Sequence, residues 1–307
     1  MEQRPISVFS DVGGVTFTFD KNKRKEIWTA EAGGLVKSVL EGGKVTDKYP
    51  GLSANPYSKD FGTGPDYNAE FSKYARGIAE TIGVDTTDHS FAEQAGKQIL
   101  NGMLINPTAT ALLEHAQGIA LKNGTLKAKA GPGVKNLVDY VESSGGVFDT
   151  YSTGASKMPD QFHKAVGLDY LVGRTETTFP GHAAKERSAE TIVKKAKDLK
   201  NSKDMTYNAF IDDNDNEIGI WADARTKMKS QGLGNPTLYL LKKDMSTADT
   251  GIVSTSKGDI TVVNSLDQVR KGLSDPFSAY GSAYAQGTSK KQANYKVDFG
   301  KSDKKFG

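Results

Sequence analysis

Short apolar runs recur along this chain, and patterns typical of helices separate them. The first run, PISVFSD at residues 5–11, is continuous and β-branched rather than alternating. A continuous run of this kind is typical of a strand that is buried on both faces of a parallel sheet. Strands that alternate with helices along a chain form right-handed βαβ units. We therefore predict an α/β fold with a Rossmann-like parallel sheet, whose further strands are residues 147–151, 209–211, 237–241 and 260–263.

A mainly helical block interrupts this alternation after the first strand. Apolar residues recur at helical spacing in residues 71–82, and SFAE at 90–93 is a capping-box pattern. Pro107 suits the first turn of a further helix. We predict that residues 30–127 form an inserted, mainly helical cap domain.

The stretch between the first strand and the helical block predicts a hairpin. VTFTF at 15–19 and EIWT at 26–29 each alternate, and the polar sequence DKNKRK lies between them. The predicted α/β core therefore comprises residues 1–29 and 128–280. Residues 281–307 are rich in Gly, Ser, Ala, Gln and Lys, so we expect a basic, weakly ordered C-terminal tail.

The composition excludes several classes of site and partner. The chain has no cysteine, which excludes disulfides, thiolate nucleophiles and cysteine-based zinc sites. Four histidines without an HExxH pair argue against a histidine-rich metal site. The net charge of +3 is too small to predict a nucleic-acid partner. The sequence carries no signal for an oligomeric state.

The N-terminus and the apolar content predict a cytoplasmic protein without a membrane partner. MEQRPISVFSD contains an acidic residue and only a short apolar run, which does not match a secretory signal. No stretch reaches the roughly 18 uninterrupted apolar residues that a membrane-spanning helix needs.

Polar residues follow several predicted strands at the point where each strand ends. Asp11 follows the first strand, Ser152-Thr153-Gly154 follows the second, and Asp212-Asp213 follows the run AFI. Lys185 lies at the start of a predicted helix, also on the loop side. Ligands of open parallel sheets bind beyond the carboxyl ends of the strands. Carboxylates suit Mg²⁺, whereas a hydroxyl, backbone N–H groups and a lysine suit a phosphate.

These residues occur in four ordered motifs, and the chain resembles the haloacid dehalogenase-like (HAD) hydrolase superfamily. The first motif is VFSDVGGV, and the second is AGPGVKNLVDYVESSGG followed by YSTGAS. The third is the lysine of GHAAKERSAET, and the fourth is AFIDDNDNE. Each motif alone is weak, but four in order are specific. The resemblance covers residues 5–20 and about 128–270, and it implies that the helical insertion is a type 1 cap.

By that resemblance, Asp11 would be the nucleophile that takes a phosphoryl group from a small phosphorylated metabolite, forming an aspartyl-phosphate. Asp212 and Asp213 would hold Mg²⁺ together with Asp11 and the backbone carbonyl of Gly13. Ser152, Thr153 and Gly154 would hold phosphate oxygens, and Lys185 would neutralise the charge of the cluster. The implied activity is that of a magnesium-dependent phosphatase.

The sequence departs from the family pattern at Gly13. Phosphatases of this superfamily usually carry a second aspartate at this position, which protonates the leaving oxygen; this acid–base contribution is typically worth about 10²–10⁴-fold. Three explanations remain open. The substrate has a good leaving group; another residue supplies the proton, with Asp20, His89, His115 and the loop at 49–68 as candidates; or the protein binds a phosphorylated ligand or partner with little turnover.

Other interpretations of these residues are a turn aspartate at Asp11, a capping hydroxyl at Ser152 and a surface lysine at Lys185. An EF-hand calcium loop beginning at Asp213 is excluded, because its sixth position is Ile218 rather than glycine and its twelfth is not glutamate. A third class of function is binding of a polyanion by the lysine-rich C-terminal tail, which would be recognised because the binding is sensitive to salt.

Overall fold

The computed structural model describes residues 5–102, 106–152, 157–177, 185–275, 278, 280 and 291–299. These residues divide into two compact units. One unit contains residues 5–18 and the described residues from 129 onward, and the other contains residues 19–128. None of the described helices is both long enough and apolar enough to span a membrane.

The strands are β1 (Ser7–Asp11), β2 (Phe17–Phe19), β3 (Ala128–Ala130), β4 (Phe148–Ser152), β5 (Thr175–Thr177), β6 (Tyr207–Asp212), β7 (Thr237–Leu241), β8 (Gly251–Val253) and β9 (Ile260–Val263). The α-helices are α1 (Lys21–Leu40), α2 (Val45–Lys48), α3 (Ser58–Phe61), α4 (Tyr67–Ile82), α5 (Phe91–Gly102), α6 (Pro107–Lys122), α7 (Val134–Ser143), α8 (Lys157–Ala165), α9 (Lys185–Lys203), α10 (Asp215–Ser230) and α11 (Leu266–Ser274).

Seven of the described strands form one sheet in the order β5-β4-β1-β6-β7-β9-β8. Every neighbouring pair is parallel except β8 with β9. Strand β1 lies in the interior of the sheet, where Asp11 is opposite Tyr151 on β4 and Ser10 is opposite Ile211 on β6. This register brings the carboxyl ends of β1, β4 and β6 to the same edge.

Helices cover both faces of this sheet, which explains the continuous apolar runs. On β1, Val8 packs in a core with α7 and α11, whereas Phe9 packs in a second core with α9 and α10. Both side chains are fully buried. A strand in this position has no solvent-facing side, so its residues do not alternate. The predicted α/β fold with a parallel sheet is confirmed.

The second unit contains α1 to α6, and it corrects the predicted hairpin. Residues 26–29 belong to helix α1, not to a strand. Asp20 caps this helix by accepting a hydrogen bond from Lys23 N at 2.9 Å. The buried face of α1 includes Trp28 and Ala32, which are four residues apart as a helix requires. Four alternating residues are too few to distinguish a strand from a helical turn. The N-capping residue Asp20 favours the helix.

Strand β2 pairs with β3 instead of with residues 26–29, and the two form a separate two-stranded sheet. The chain leaves the first unit along β2 and returns to it along β3. Residues 19–29, predicted as part of the core, therefore belong to the second unit, in which α1 packs against α5.

The C-terminal segment, defined as residues 291–299, also differs from the prediction. Instead of a weakly ordered tail, these residues extend along β8 and bury Val297 in the core beside α9 and α10. The remaining predicted tail residues, 281–290 and 300–307, lie outside the described part of the chain.

Candidate functional site

Asp11 ends strand β1 and opens a tight turn. Val12 N donates to Tyr151 O on β4 at 3.1 Å, and the N–H and hydroxyl of Thr16 donate to Val12 O at 3.1 and 2.9 Å. His163 Nε2 lies 3.1 Å from the same hydroxyl. Burial lowers the pKa of His163 to about 4, so its ring is neutral at pH 7 and Nε2 lies within hydrogen-bond distance of the hydroxyl. These hydrogen bonds fix the backbone of the turn after Asp11.

Asp212 ends the neighbouring strand β6 and is fully buried. One of its carboxylate oxygens accepts from Asn214 N at 2.7 Å, and the other accepts from Trp221 Nε1 at 2.6 Å. Trp221 also packs edge-on against Phe9, with ring centroids 5.3 Å apart. The same indole thus joins the carboxylate to the apolar core and fixes its orientation.

Asp11, Asp212 and Glu217 form a cluster in which one ligand oxygen of each lies within 4.8 Å of the others. Burial and the charge of Asp212 raise the pKa of Asp11 well above its usual value. Burial and the charge of Glu217 similarly raise the pKa of Asp212. Three carboxylates this close repel one another unless a cation lies between them. Oxygen donors of this kind fit Mg²⁺.

The predicted metal ligands are only partly brought together by this cluster. Asp11 and Asp212 belong to it, whereas Asp213 does not. Asp213 lies instead beside Gly14, where an added Cβ would be 1.7 Å from Asp213 Oδ2. Gly14 has φ = +83°, so this position suits glycine for two independent reasons.

Gly13 is exposed, and its backbone φ is not positive. Among the described atoms, a Cβ added there would meet only Asp11 Oδ2, at 3.8 Å. Within the described part of the chain, position 13 is thus open beside Asp11.

Glu217 is the cluster member that the sequence did not predict. It lies in the first turn of α10, five residues after Asp212. The run DDNDNE contains the signal, because an acidic residue in the first turn of a helix lies at the same end as the preceding strand terminus.

Lys243 is a cation at this edge that was also missed. Its Nζ donates to Gly14 O, and the charge of Asp213 acts on it. Burial lowers its pKa. The neighbouring Lys242 Nζ donates to Asp213 O at 3.0 Å and pairs with Asp215 Oδ2 at 3.1 Å. Both lysines directly follow β7, where the rule of inspecting strand ends would have found them.

The remaining predicted residues are only partly described. Ser152 ends β4 beside β1, and it is half-buried. Thr153 and Gly154 lie outside the described residues. Lys185 begins helix α9, but its side chain also lies outside the described part.

No family model and no curated protein matches this chain. Several solved structures do. The Unknown transcript 4 protein of Saccharomyces cerevisiae is 14% identical, with 84% of this chain and 97% of that chain covered and a TM-score of 0.41. A putative β-phosphoglucomutase from Thermotoga maritima is 12% identical, with 87% and 98% covered and a TM-score of 0.42. An L-2-haloacid dehalogenase is 11% identical, with 89% and 100% covered and a TM-score of 0.41.

At TM-scores below 0.5, these likenesses carry no argument about the family or the activity of this chain.

Proposed function

We propose that this chain is a magnesium-dependent phosphohydrolase that acts on a small phosphorylated metabolite. The observation that carries the proposal is the cluster of Asp11, Asp212 and Glu217 at the carboxyl edge of the sheet. Burial and the charges of Asp212 and Glu217 raise the pKa of Asp11, and burial and the charge of Glu217 raise the pKa of Asp212. The repulsion among these carboxylates favours binding of a cation. A divalent cation in such a site attracts phosphate oxygens, which complete its coordination.

In the proposed reaction, one carboxylate oxygen of Asp11 attacks phosphorus while the bond from phosphorus to the leaving oxygen breaks. The product is an aspartyl-phosphate, which water then hydrolyses to regenerate Asp11 and release phosphate. Asp212 and Glu217, together with the other oxygen of Asp11, would hold Mg²⁺. When bound, Mg²⁺ neutralises charge on the transferring oxygens.

Positive charge at the site has two proposed sources in this chain. Lys243 approaches the turn after Asp11 through its contact with Gly14 O. Lys185 remains a proposal from the motif resemblance. Ser152, at the end of the strand next to Asp11, is the proposed hydroxyl donor to phosphate. Fixed donors and cations of this kind are the main catalytic device in phosphoryl transfer.

The second candidate function is a binding protein with little turnover. It is favoured by Gly13, which leaves the proton-donor position without a side chain. Such a protein would retain Mg²⁺ and a phosphorylated ligand but would transfer the phosphoryl group slowly.

The experiment that separates these functions is hydrolysis of p-nitrophenyl phosphate with and without Mg²⁺, with Asp11→Asn as the test variant. Asp139→Asn, an exposed aspartate of α7, is the matched control. The phosphohydrolase predicts magnesium-dependent turnover that Asp11→Asn abolishes and Asp139→Asn retains. Equal turnover by the wild type and Asp11→Asn would exclude Asp11 as nucleophile. Thermal stabilisation by Mg²⁺ and phosphate without turnover would identify the binding protein.

A further inference from the structure

The C-terminal segment reaches the acidic edge of the sheet from the far end of the chain. It begins by extending β8: Ile252 N donates to Lys291 O at 2.9 Å, and Ala293 N donates to Ile252 O at 3.0 Å. Asn294 N then donates to Asp249 O at 3.0 Å. These backbone bonds fix the direction of the segment and carry it toward α10.

The segment is also held by its apolar side chains. Tyr295, Val297 and Phe299 all pack against the core beside α9 and α10. A Cβ added to Gly219 of α10 would lie 3.2 Å from the ring of Phe299, so the ring rests directly on the helix. The segment therefore packs on the N-terminal half of α10, the helix that carries Glu217.

The hydroxyl of Tyr295 makes the decisive contact. It donates to Asp215 Oδ2 at 2.7 Å, and the same oxygen pairs with Lys242 Nζ at 3.1 Å. Lys242 Nζ in turn donates to Asp213 O at 3.0 Å. Burial and the nearby Asp215 raise the pKa of Tyr295, so the phenol keeps the proton that it donates.

These contacts span the acidic turn, defined as residues 212–217, which joins β6 to α10. Asp212 and Glu217 at its two ends are the metal-binding candidates. Asp215 and the carbonyl of Asp213 lie between them, and both are tied to Lys242. The distance between the carboxylates of Asp212 and Glu217 thus depends on the conformation of this turn. Contacts from Lys242 and Tyr295 hold the residues at its centre.

We propose that Tyr295 is a positioning residue for the metal site: it orients Asp215 and Lys242 and thereby sets the acidic turn in its metal-binding conformation. This inference rests on the metal site of the proposed function. Residues that orient metal ligands from the next layer typically change metal affinity by about 10–100-fold when they are removed. Because Tyr295 acts on the ligands through two intermediates, the lower end of that range is expected.

The test is Mn²⁺ binding to the full-length protein, measured by the loss of the free Mn²⁺ signal in electron paramagnetic resonance. Tyr295→Phe keeps the ring against the core and removes only the hydroxyl. We expect about tenfold weaker Mn²⁺ binding, with little change in the thermal unfolding midpoint of the metal-free protein. Asn294→Ala is the matched control, because this neighbour contacts Asp249 and not the acidic turn. It should bind Mn²⁺ as the wild type does.

A double-mutant cycle with Asp215→Asn identifies the route. If Tyr295 acts through Asp215, the double variant binds Mn²⁺ about as weakly as Asp215→Asn alone. Additive losses would overturn that route, and unchanged Mn²⁺ affinity in Tyr295→Phe would overturn the inference while leaving the metal site intact. Absence of Mn²⁺ binding by the wild type would overturn the metal site and the inference together.

Discussion

Replacing Gly13 by aspartate would place a proton donor beside Asp11, and the structure indicates that the chain accommodates it. The backbone at this position is not left-handed, and among the described residues an added Cβ meets only Asp11 Oδ2 at 3.8 Å, an ordinary van der Waals distance. The position is also exposed. At a pH below the pKa of the new carboxyl group, where it is uncharged, the change in the free energy of unfolding should therefore stay within about 0.5 kcal/mol.

The expected gain comes from protonation of the leaving oxygen. A carboxyl group at position 13 would lie beside Asp11 and near the acidic cluster, and like charges would raise its pKa. It would therefore hold a proton closer to neutral pH than an ordinary aspartate. General acid catalysis contributes about 10²–10⁴-fold. The added charge also raises the pKa values of the neighbouring carboxylates, which reduces their ionisation. We therefore expect the lower end of this range, a gain of about 100-fold, which corresponds to roughly 2.7 kcal/mol in the activation barrier.

The assay compares a series of phosphate monoesters whose leaving groups differ in pKa. p-Nitrophenolate leaves readily without a proton, whereas an alkoxide does not, so Gly13→Asp should increase kcat/KM most for alkyl phosphates. The gain should decline as pH rises through the pKa of the new carboxyl group, because only the protonated form donates.

Gly13→Asn is the control of equal size, since an amide does not serve as the acid. The same increase for Gly13→Asn, or an increase that does not depend on the leaving group, would refute the proton-donor reasoning. Asp11→Asn combined with Gly13→Asp should be inactive, because the added acid cannot replace the nucleophile.

Three further predictions concern the same edge of the sheet. Gly14→Ala should destabilise the fold by about 1–3 kcal/mol in urea unfolding, because φ is +83° and the methyl group would overlap Asp213; an unchanged midpoint would contradict this. Lys243→Met should raise the inhibition constant of inorganic phosphate about tenfold, while Lys243→Arg retains most binding; equal inhibition in all three proteins would exclude this cation. Because the pKa values of Asp11 and Asp212 are raised on folding, the folded state binds more protons, so metal-free stability should fall as pH rises through those values. Added Mg²⁺ should restore more stability at pH 7.5 than at pH 5 in thermal unfolding, and an equal effect at both would contradict the raised values.

The parallel sheet and the positions of Asp11, Ser152 and Asp212 could be predicted because strand ends are local in sequence. Each is the last residue of a strand, and parallel strands place such residues at one edge. Glu217 and Lys243 required more information. Whether Glu217 faces the cluster depends on the rotation of α10, and the approach of Lys243 to Gly14 depends on the path of the loop after β7.

For the C-terminal segment, the prediction of weak order was wrong because it rested on composition and not on the local pattern of apolar residues. Its polar residues predicted weak order, yet YKVDF at 295–299 alternates apolar and polar side chains. Tyr295, Val297 and Phe299 point to the core, as this period requires. The helix α1 was missed for a related reason, because a window of four residues outweighed the cap at Asp20 and the longer helical spacing beyond it.

The interior position of β1 has a consequence for the order in which the chain acquires its structure during synthesis. Ser7 contacts Val147 and Asn208, which are 140 and 201 positions later in the sequence. A ribosome that adds about 5–20 residues per second takes roughly 10–40 s to cover the longer interval. For the first 140 residues of that interval the apolar strand that ends in Asp11 has neither neighbour, although the contiguous helical unit at residues 19–128 is made within it. Strand β1 is thus made well before both of its neighbours, which makes it a segment that a chaperone would recognise in the nascent chain.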